Sequence, residues 1–216
     1  MTNKIYIVNH VNDDSHLVRK CVESVKKFDF EPVIVRSLEG TNRNKNNILR
    51  LAESNEERFA FIIDSDCELL TDPRPMIDVA ADENDCAIVG CGIVKYEDGK
   101  IIGWQDSGAR HVIVDSGRKE NLSVPIVCGN FMLVRTGKGL KFGGRSTGRG
   151  TYGDTELCIE AGKSGYKIYT CLSVRVKHMR PFGEPNFLDL LRFRIKYPKV
   201  VLNKWALNMV ELMFME

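Results

Sequence analysis

Two carboxylates one residue apart, Asp64 and Asp66, close an otherwise apolar run, FAFIIDSDCELL, from Phe59 to Leu70. Hard oxygen ligands of this kind suit Mg2+ or Mn2+, and those cations in turn favour phosphate. With 14 Asp among 216 residues, a chance Asp-x-Asp is expected, so placement has to carry the argument. If the chain stays extended there, the two side chains face the same way, about 6–7 Å apart. One then suits a metal, and the other a ribose hydroxyl or a water near the metal. His178 ends the alternating run SVRVKH on the side of Val174 and Val176, in a chain of only four His, and imidazole suits Mn2+. Asp154 stands in TYGDTEL at a helix start, where Thr155 could be the cap and leave Asp154 for chemistry. The Gly-rich FGGRSTGRGTYG, Phe142 to Gly153, reads as a mobile loop whose two arginines suit a diphosphate.

The elements that must position these residues can be read from periodicity. KIYIV, PVIVRS and FAFIID are β-branched and aromatic runs of strand length. Between the first two, DDSHLVRKCVESVKKF sets Leu17, Val18, Cys21, Val22 and Val25 on one helical face, with Asp14 or Ser15 as N-cap. Between the last two, a polar loop LEGTNRNKN leads to a helix carrying Ile48, Leu51 and Ala52 inward. Strand and helix in alternation predict a parallel α/β sheet, with ligands beyond the carboxyl ends of its strands. That is where Asp64 and Asp66 fall. From Cys86 a hairpin through Asp98-Gly99, then RHVIVD and VPIVCGNFMLVR, predict strands without a long helix between them, a mixed or antiparallel extension. GDTELCIEAGKSGYKIYT predicts a helix closed by Gly165 and a following strand.

The tail, Phe187 to Glu216, predicts two helical pieces separated by Pro198. Its Leu, Phe and Met interleave with Arg192, Arg194, Lys196, Lys199 and Lys204. Such a segment packs on the core or on a second copy of the chain, or rests on a membrane as a basic amphipathic surface. The expected organisation is one catalytic unit over residues 1–183 and a helical tail over 184–216.

A net charge of +2 demands neither nucleic acid nor an acidic polymer as partner. Seven scattered cysteines without a C-x-x-C pair read as reduced thiols, and hence a cytoplasmic protein, or one held peripherally to a membrane. The apolar stretch in MTNKIYIVNHVNDD is too short for a signal peptide, and no segment approaches the length of a membrane span.

Four stretches together resemble the GT-A glycosyltransferases, and within them the family-2-like nucleotide-sugar enzymes. They are YIVNHVN, RNKNNILRLAE, FIIDSD and the block CGNFMLVR…YGDTELCIEAGKSGYKI…VKH, from Cys128 to His178. The resemblance implies a Rossmann-like GT-A fold: a mixed, mainly parallel central sheet flanked by helices, with a helical C-terminal tail. It implies a metal-dependent transfer from a UDP- or GDP-sugar to the hydroxyl of a saccharide, lipid-linked or protein acceptor. On that basis Asp66 and His178 hold Mn2+ or Mg2+, and Asp64 contacts the metal or the ribose. Asn9, His10 and Val11 line the nucleobase pocket with Arg43 and Asn47 nearby, and Asp154 is the general base. Where the family usually has two acids this chain has Gly153-Asp154, so one candidate base remains, with Glu156 as the fallback. A single base suits inversion. Two alternatives remain: a sugar-1-phosphate nucleotidyltransferase, disfavoured by the glycine-free VNHVNDDSH after the first strand, and a catalytically degenerate nucleotide- or sugar-binding module.

Overall fold

The computed structural model describes residues 3–10, 14–37, 40–97, 100–106, 121–124, 126–143, 152–180, 187–197, 200–202 and 212–214. Its first half alternates: β1 (Lys4–His10), α1 (Ser15–Lys26), β2 (Glu31–Ser37), α2 (Thr41–Ser54) and β3 (Phe59–Asp64). After a turn at Ser65 and Asp66 follow β4 (Cys67–Leu69), α3 (Arg74–Asp82), β5 (Cys86–Glu97), β6 (Lys100–Asp106), β7 (Asn121–Ser123) and β8 (Phe131–Arg135). The last part holds α4 (Gly153–Lys163), β9 (Lys167–His178), α5 (Phe187–Lys196), β10 (Val200–Leu202) and β11 (Leu212–Phe214).

The main sheet runs β2-β1-β3-β8-β5-β9-β4, with β6 on β5 and β7 on β9. It is mixed, but it is not mainly parallel as expected. Among the described residues β1–β2, β1–β3 and β5–β9 are parallel. The pairs β3–β8, β5–β8, β5–β6, β4–β9 and β7–β9 are antiparallel. A parallel neighbour needs a crossover of a dozen or more residues, usually a helix. No described residue between β5 and β8 is helical. The antiparallel β8 therefore brings its N-terminal flank, Gly129 and Asn130, to the edge where β3 ends.

Strand alternation divides the core between two faces. Tyr6 and Val8 of β1 join Ile48, Ala52, Ile62, Met132 and Leu157, while Ile5 and Ile7 join Val25, Phe61, Ile63, Met76 and Phe131. Because β3 is buried on both faces, it reads as an unbroken apolar run. Asp14 caps α1 as expected, its side chain accepting from His16 N–H. Gly165, at φ +79°, follows the end of α4. Along β9, Val174 and Val176 are buried while Arg175 and Lys177 turn outward.

One irregularity in β9 matters below. From the pair Cys91–Cys171 to the pair Gly92–Arg175, β5 advances one residue while β9 advances four. Thr71 stitches this offset: its hydroxyl accepts from Arg175 N–H at 2.8 Å and reaches Ser173 O at 3.2 Å. Beyond it, β9 pairs with β4, setting His178 opposite Cys67.

Three further expectations are corrected. TNRNKN is not a loop but the first turns of α2, and Leu51 is 39% exposed whereas Leu49 is buried. The described residues after Pro198 form two antiparallel strands, β10 and β11, instead of a second helix. VPIVCGNFMLVR is strand only from Phe131. The RHVIVD run and the Asp98-Gly99 turn lie outside the described residues.

α5 packs against the sheet-bound α4. Phe193 is fully buried, with ring centroids 4.9 Å from Tyr152 and 5.0 Å from Tyr197, and Tyr197 Oη donates to Glu160 at 2.7 Å. Beneath them the buried Glu156 carboxylate pairs with Arg192 and, at 2.8 Å, with Lys196. Leu191 and Ile195 face outward. Among the described residues no helix is long and apolar enough to cross a membrane.

Gly143 passes so close to Glu156 that an added Cβ would land on the carboxylate, which is fixed by two cations. Gly143→Ala is therefore expected to cost about 1–3 kcal/mol by overpacking. Gly162 of α4 has open space around it, and Gly162→Ala should stabilise by up to about 1 kcal/mol. Urea unfolding of the two variants checks both signs.

Candidate functional site

Asp64 ends β3 at its carboxyl edge, and its backbone N–H donates to Asn130 O at 2.8 Å. On its side chain, Asp64 Oδ1 lies 2.9 Å from Lys45 Nζ. Lys45 comes from the polar start of α2 and is almost fully buried. Its ammonium also donates to Gly129 O at 2.7 Å and sits 5.6 Å from the Phe142 ring centroid. Burial pushes the Asp64 carboxyl up to about 7 against the pull of Lys45, with Asp66 and Asp154 adding to the rise. Burial pulls Lys45 the other way, but Asp64, followed by Asp154, more than offsets it and holds the ammonium above its ordinary value.

The same glycine ties in the acidic helix start. Gly129 N–H donates to Asp154 Oδ2 at 2.8 Å, and Thr155 N–H donates to Asp154 Oδ1 at 2.8 Å. A Cβ on Gly129 would come within 3.0 Å of Lys45 Nζ and 3.1 Å of Asp154 Oδ2, so glycine is what lets the two charged groups approach. Glu156, the fallback base, is fully buried and committed to α5.

The turn after β3 separates the two aspartates instead of leaving them on one face. Asp66 turns toward the end of β9, where its Oδ1 lies 3.6 Å from His178 Nε2 and its carbonyl accepts from Met179 N–H at 2.8 Å. His178 Nδ1 faces the carbonyl oxygen of Arg180, so Nδ1 carries the hydrogen. In the neutral ring Nε2 then presents a lone pair toward a carboxylate. Cys67 Sγ completes a group in which one ligand atom each from Asp66, Cys67 and His178 lies within 4.8 Å of the others.

At the end of β1, Asn9 is buried, and its carbonyl accepts from Asn44 Nδ2 at 3.4 Å. The amide oxygens of Asn9 and Asn44 are buried with no protein donor among the described residues. Arg43 is exposed on α2, and Asn47 accepts from Arg50 on the same helix. The backbone of His10 belongs to β1, while its side chain, the whole of Val11 and both arginines of the Gly-rich loop lie outside the described residues.

Sequence reasoning passed over Lys45, Gly129, Asn130 and Cys67. The available signal for Lys45 was a lysine at a helix start among asparagines, with no acid four residues away to pair with it. Gly129 and Asn130 stood in CGNFMLVR without a role of their own, and Cys67 read as one of seven core thiols.

No family model matches the chain, and no curated protein matches it by sequence. Among solved structures it is similar to A197 from STIV, at 12% identity and a TM-score of 0.57, over 84% of this chain and 87% of that one. It is also similar to GalNAc-T7, crystallised with UDP, GalNAc and Mn2+, at 14% identity and a TM-score of 0.49. That match covers 89% of this chain and 41% of the other, so this chain spans less than half of that protein's length. The likeness to A197 is one of fold: a mixed α/β sheet between helices.

Proposed function

We propose that the chain is a metal-dependent glycosyltransferase of the GT-A, family-2-like kind, moving a sugar from a UDP- or GDP-sugar to an acceptor hydroxyl with inversion. The observation that carries this reading is the convergence at one sheet edge of Asp64, Asp66, Asp154 and His178, from β3, the following turn, α4 and β9. Segments distant in sequence meet there with acids, an imidazole and a buried ammonium, in the place where open α/β sheets bind ligands.

The residues fit a divalent cation. Asp66 Oδ1 and His178 Nε2 lie 3.6 Å apart; a protonated imidazole pairs with the carboxylate directly, and a neutral one offers with it two ligand atoms for a cation. Asp66 and His178 would hold the ion, which when bound offsets the charge of the departing diphosphate. Lys45, neutralising Asp64 beside it, keeps this edge from becoming too acidic for a diphosphate. Asn9, at the end of β1, would line the nucleobase pocket together with His10 and Val11. Asp154, oriented by two backbone N–H groups, takes the hydroxyl proton of the acceptor at a carboxylate oxygen. The acceptor oxygen bonds to the anomeric carbon, and the bond to the diphosphate oxygen breaks with its electron pair.

Calorimetry with UDP and GDP, with and without Mn2+, tests the reading. Binding is expected to require the ion, and Asp66→Ala should weaken it about 10–100-fold with the melting temperature kept. Equal binding without a divalent ion would sink the assignment. Product analysis separates the nucleotidyltransferase alternative: release of pyrophosphate from a nucleoside triphosphate, instead of UDP or GDP from a nucleotide sugar, would favour it.

A further inference from the structure

We propose that Cys67 is a third protein ligand of the metal centre, and that the centre prefers a thiophilic divalent cation such as Zn2+ to Mg2+. This rests on the reading of Asp66 and His178 as metal ligands.

The register of the sheet makes the arrangement. Cys67 and His178 are direct partners across the antiparallel β4–β9 pair, and side chains of such partners share a face. Asp66 immediately precedes Cys67 and turns toward the same spot, with Cys67 Sγ 3.9 Å from Asp66 Oδ1 and His178 Nε2 3.6 Å from it. A tetrahedral ion with bonds of about 2.0–2.3 Å sets its ligand atoms about 3.3–3.5 Å apart, so movements of a few tenths of an ångström would close these two edges. The third edge, from sulfur to imidazole, is within 4.8 Å.

The surroundings suit the role. Arg180 O receives the Nδ1 hydrogen of His178, the backbone device that aims Nε2 at a metal. Asn130 Nδ2 points at Cys67 Sγ from 3.9 Å, a donor directed at the sulfur. Cys67 is fully buried, so the sulfur approaches from beneath, whereas Asp66 keeps 23% side-chain exposure on the open side. Carboxylate, imidazole and thiolate form a borderline-to-soft set that favours Zn2+ or Co2+ and is poor for Mg2+. On binding, the thiol hydrogen leaves as a proton to solvent and a metal–sulfur bond replaces the S–H bond.

Co2+ titration of the full chain is the test, read by optical absorption. The wild type should show a sulfur-to-cobalt charge-transfer band, kept in Cys128→Ser and lost in Cys67→Ser. Zn2+ affinity should fall about 100-fold in Cys67→Ser, while Mn2+ affinity changes by less than about threefold. Co2+ and Mn2+ binding with no sulfur band, or a band that survives Cys67→Ser, overturns the thiolate and leaves the glycosyltransferase reading standing. Failure of the wild type to bind any divalent ion overturns both. Should Cys67→Ser not fold, X-ray absorption of the Zn2+-loaded wild type decides. One sulfur at about 2.3 Å supports the assignment, and a shell of nitrogen and oxygen alone refutes it.

Discussion

Asp154→Asn is expected to lower turnover about 10²–10⁴-fold while donor affinity barely moves. A general base acts on the transition state, so its loss shows in the chemical step and not in ground-state binding. The substitution has one structural cost. Both carboxylate oxygens accept backbone N–H groups, and asparagine can satisfy only one of them with oxygen. Turning its oxygen to Gly129 leaves the amide group facing Thr155 N–H, at about 1–3 kcal/mol. A melting curve therefore accompanies the kinetics. Loss of turnover with the fold kept assigns chemistry to Asp154. Turnover like that of the parent would remove it as the base and favour a retaining reaction without an enzymic base. Glu156→Gln should weaken the fold through α5 and leave the surviving folded enzyme active, because that carboxylate is spent on Arg192 and Lys196.

Lys45→Met should destabilise the protein by about 3–4 kcal/mol at alkaline pH and by less near neutrality. Removing one partner of a buried ion pair leaves the other charge uncompensated where Asp64 is ionised, but without Lys45 its already raised carboxyl takes up a proton as the pH falls, and the cost shrinks. The Gly129 carbonyl also loses its donor. Combining Lys45→Met with Asp64→Asn should recover more than half of the loss, since the stranded charge is gone. Urea unfolding of the wild type, both single variants and the double variant gives the coupling directly. A loss under about 1 kcal/mol in Lys45→Met at alkaline pH would mean that the pair behaves as a solvated surface bridge.

The contrast between these two residues shows what the sequence made legible. Asp154 could be found because a helix start has a local signature, and β3 because a strand buried on both faces must be apolar throughout. The alternation that aims His178 is local too. Lys45 hides in a stretch whose polarity reads as loop, because its partner carbonyl is Gly129, 84 residues away. Asn46 likewise closes on the backbone of Phe142, through two hydrogen bonds of 2.8 and 2.9 Å. Polar side chains that bind remote backbone make a helix look like a linker. The antiparallel sense of β8 was legible in the lack of a long helix after Cys86, but its place between β3 and β5 was not, since pairing order leaves no local trace. In the tail, Pro198 marks a real break, but periodicity could not tell the short strands beyond it from another helix. Cys67 reads as a core thiol and is one; what it faces is set by strand register.

The four-for-one offset in β9 gives that register an arithmetic of its own. The offset is where strand alternation breaks: Cys171 and Val174, three residues apart, both pack in the layer of Val89, Phe131 and Leu133, which unbroken alternation would forbid. This change of phase sets Val174 and Val176 inward and brings His178 opposite Cys67. Thr71, whose single hydroxyl bonds Ser173 inside the excursion and Arg175 just beyond it, is thus a pawl that holds this phase, and a change there can shift the histidine without touching any residue of the centre.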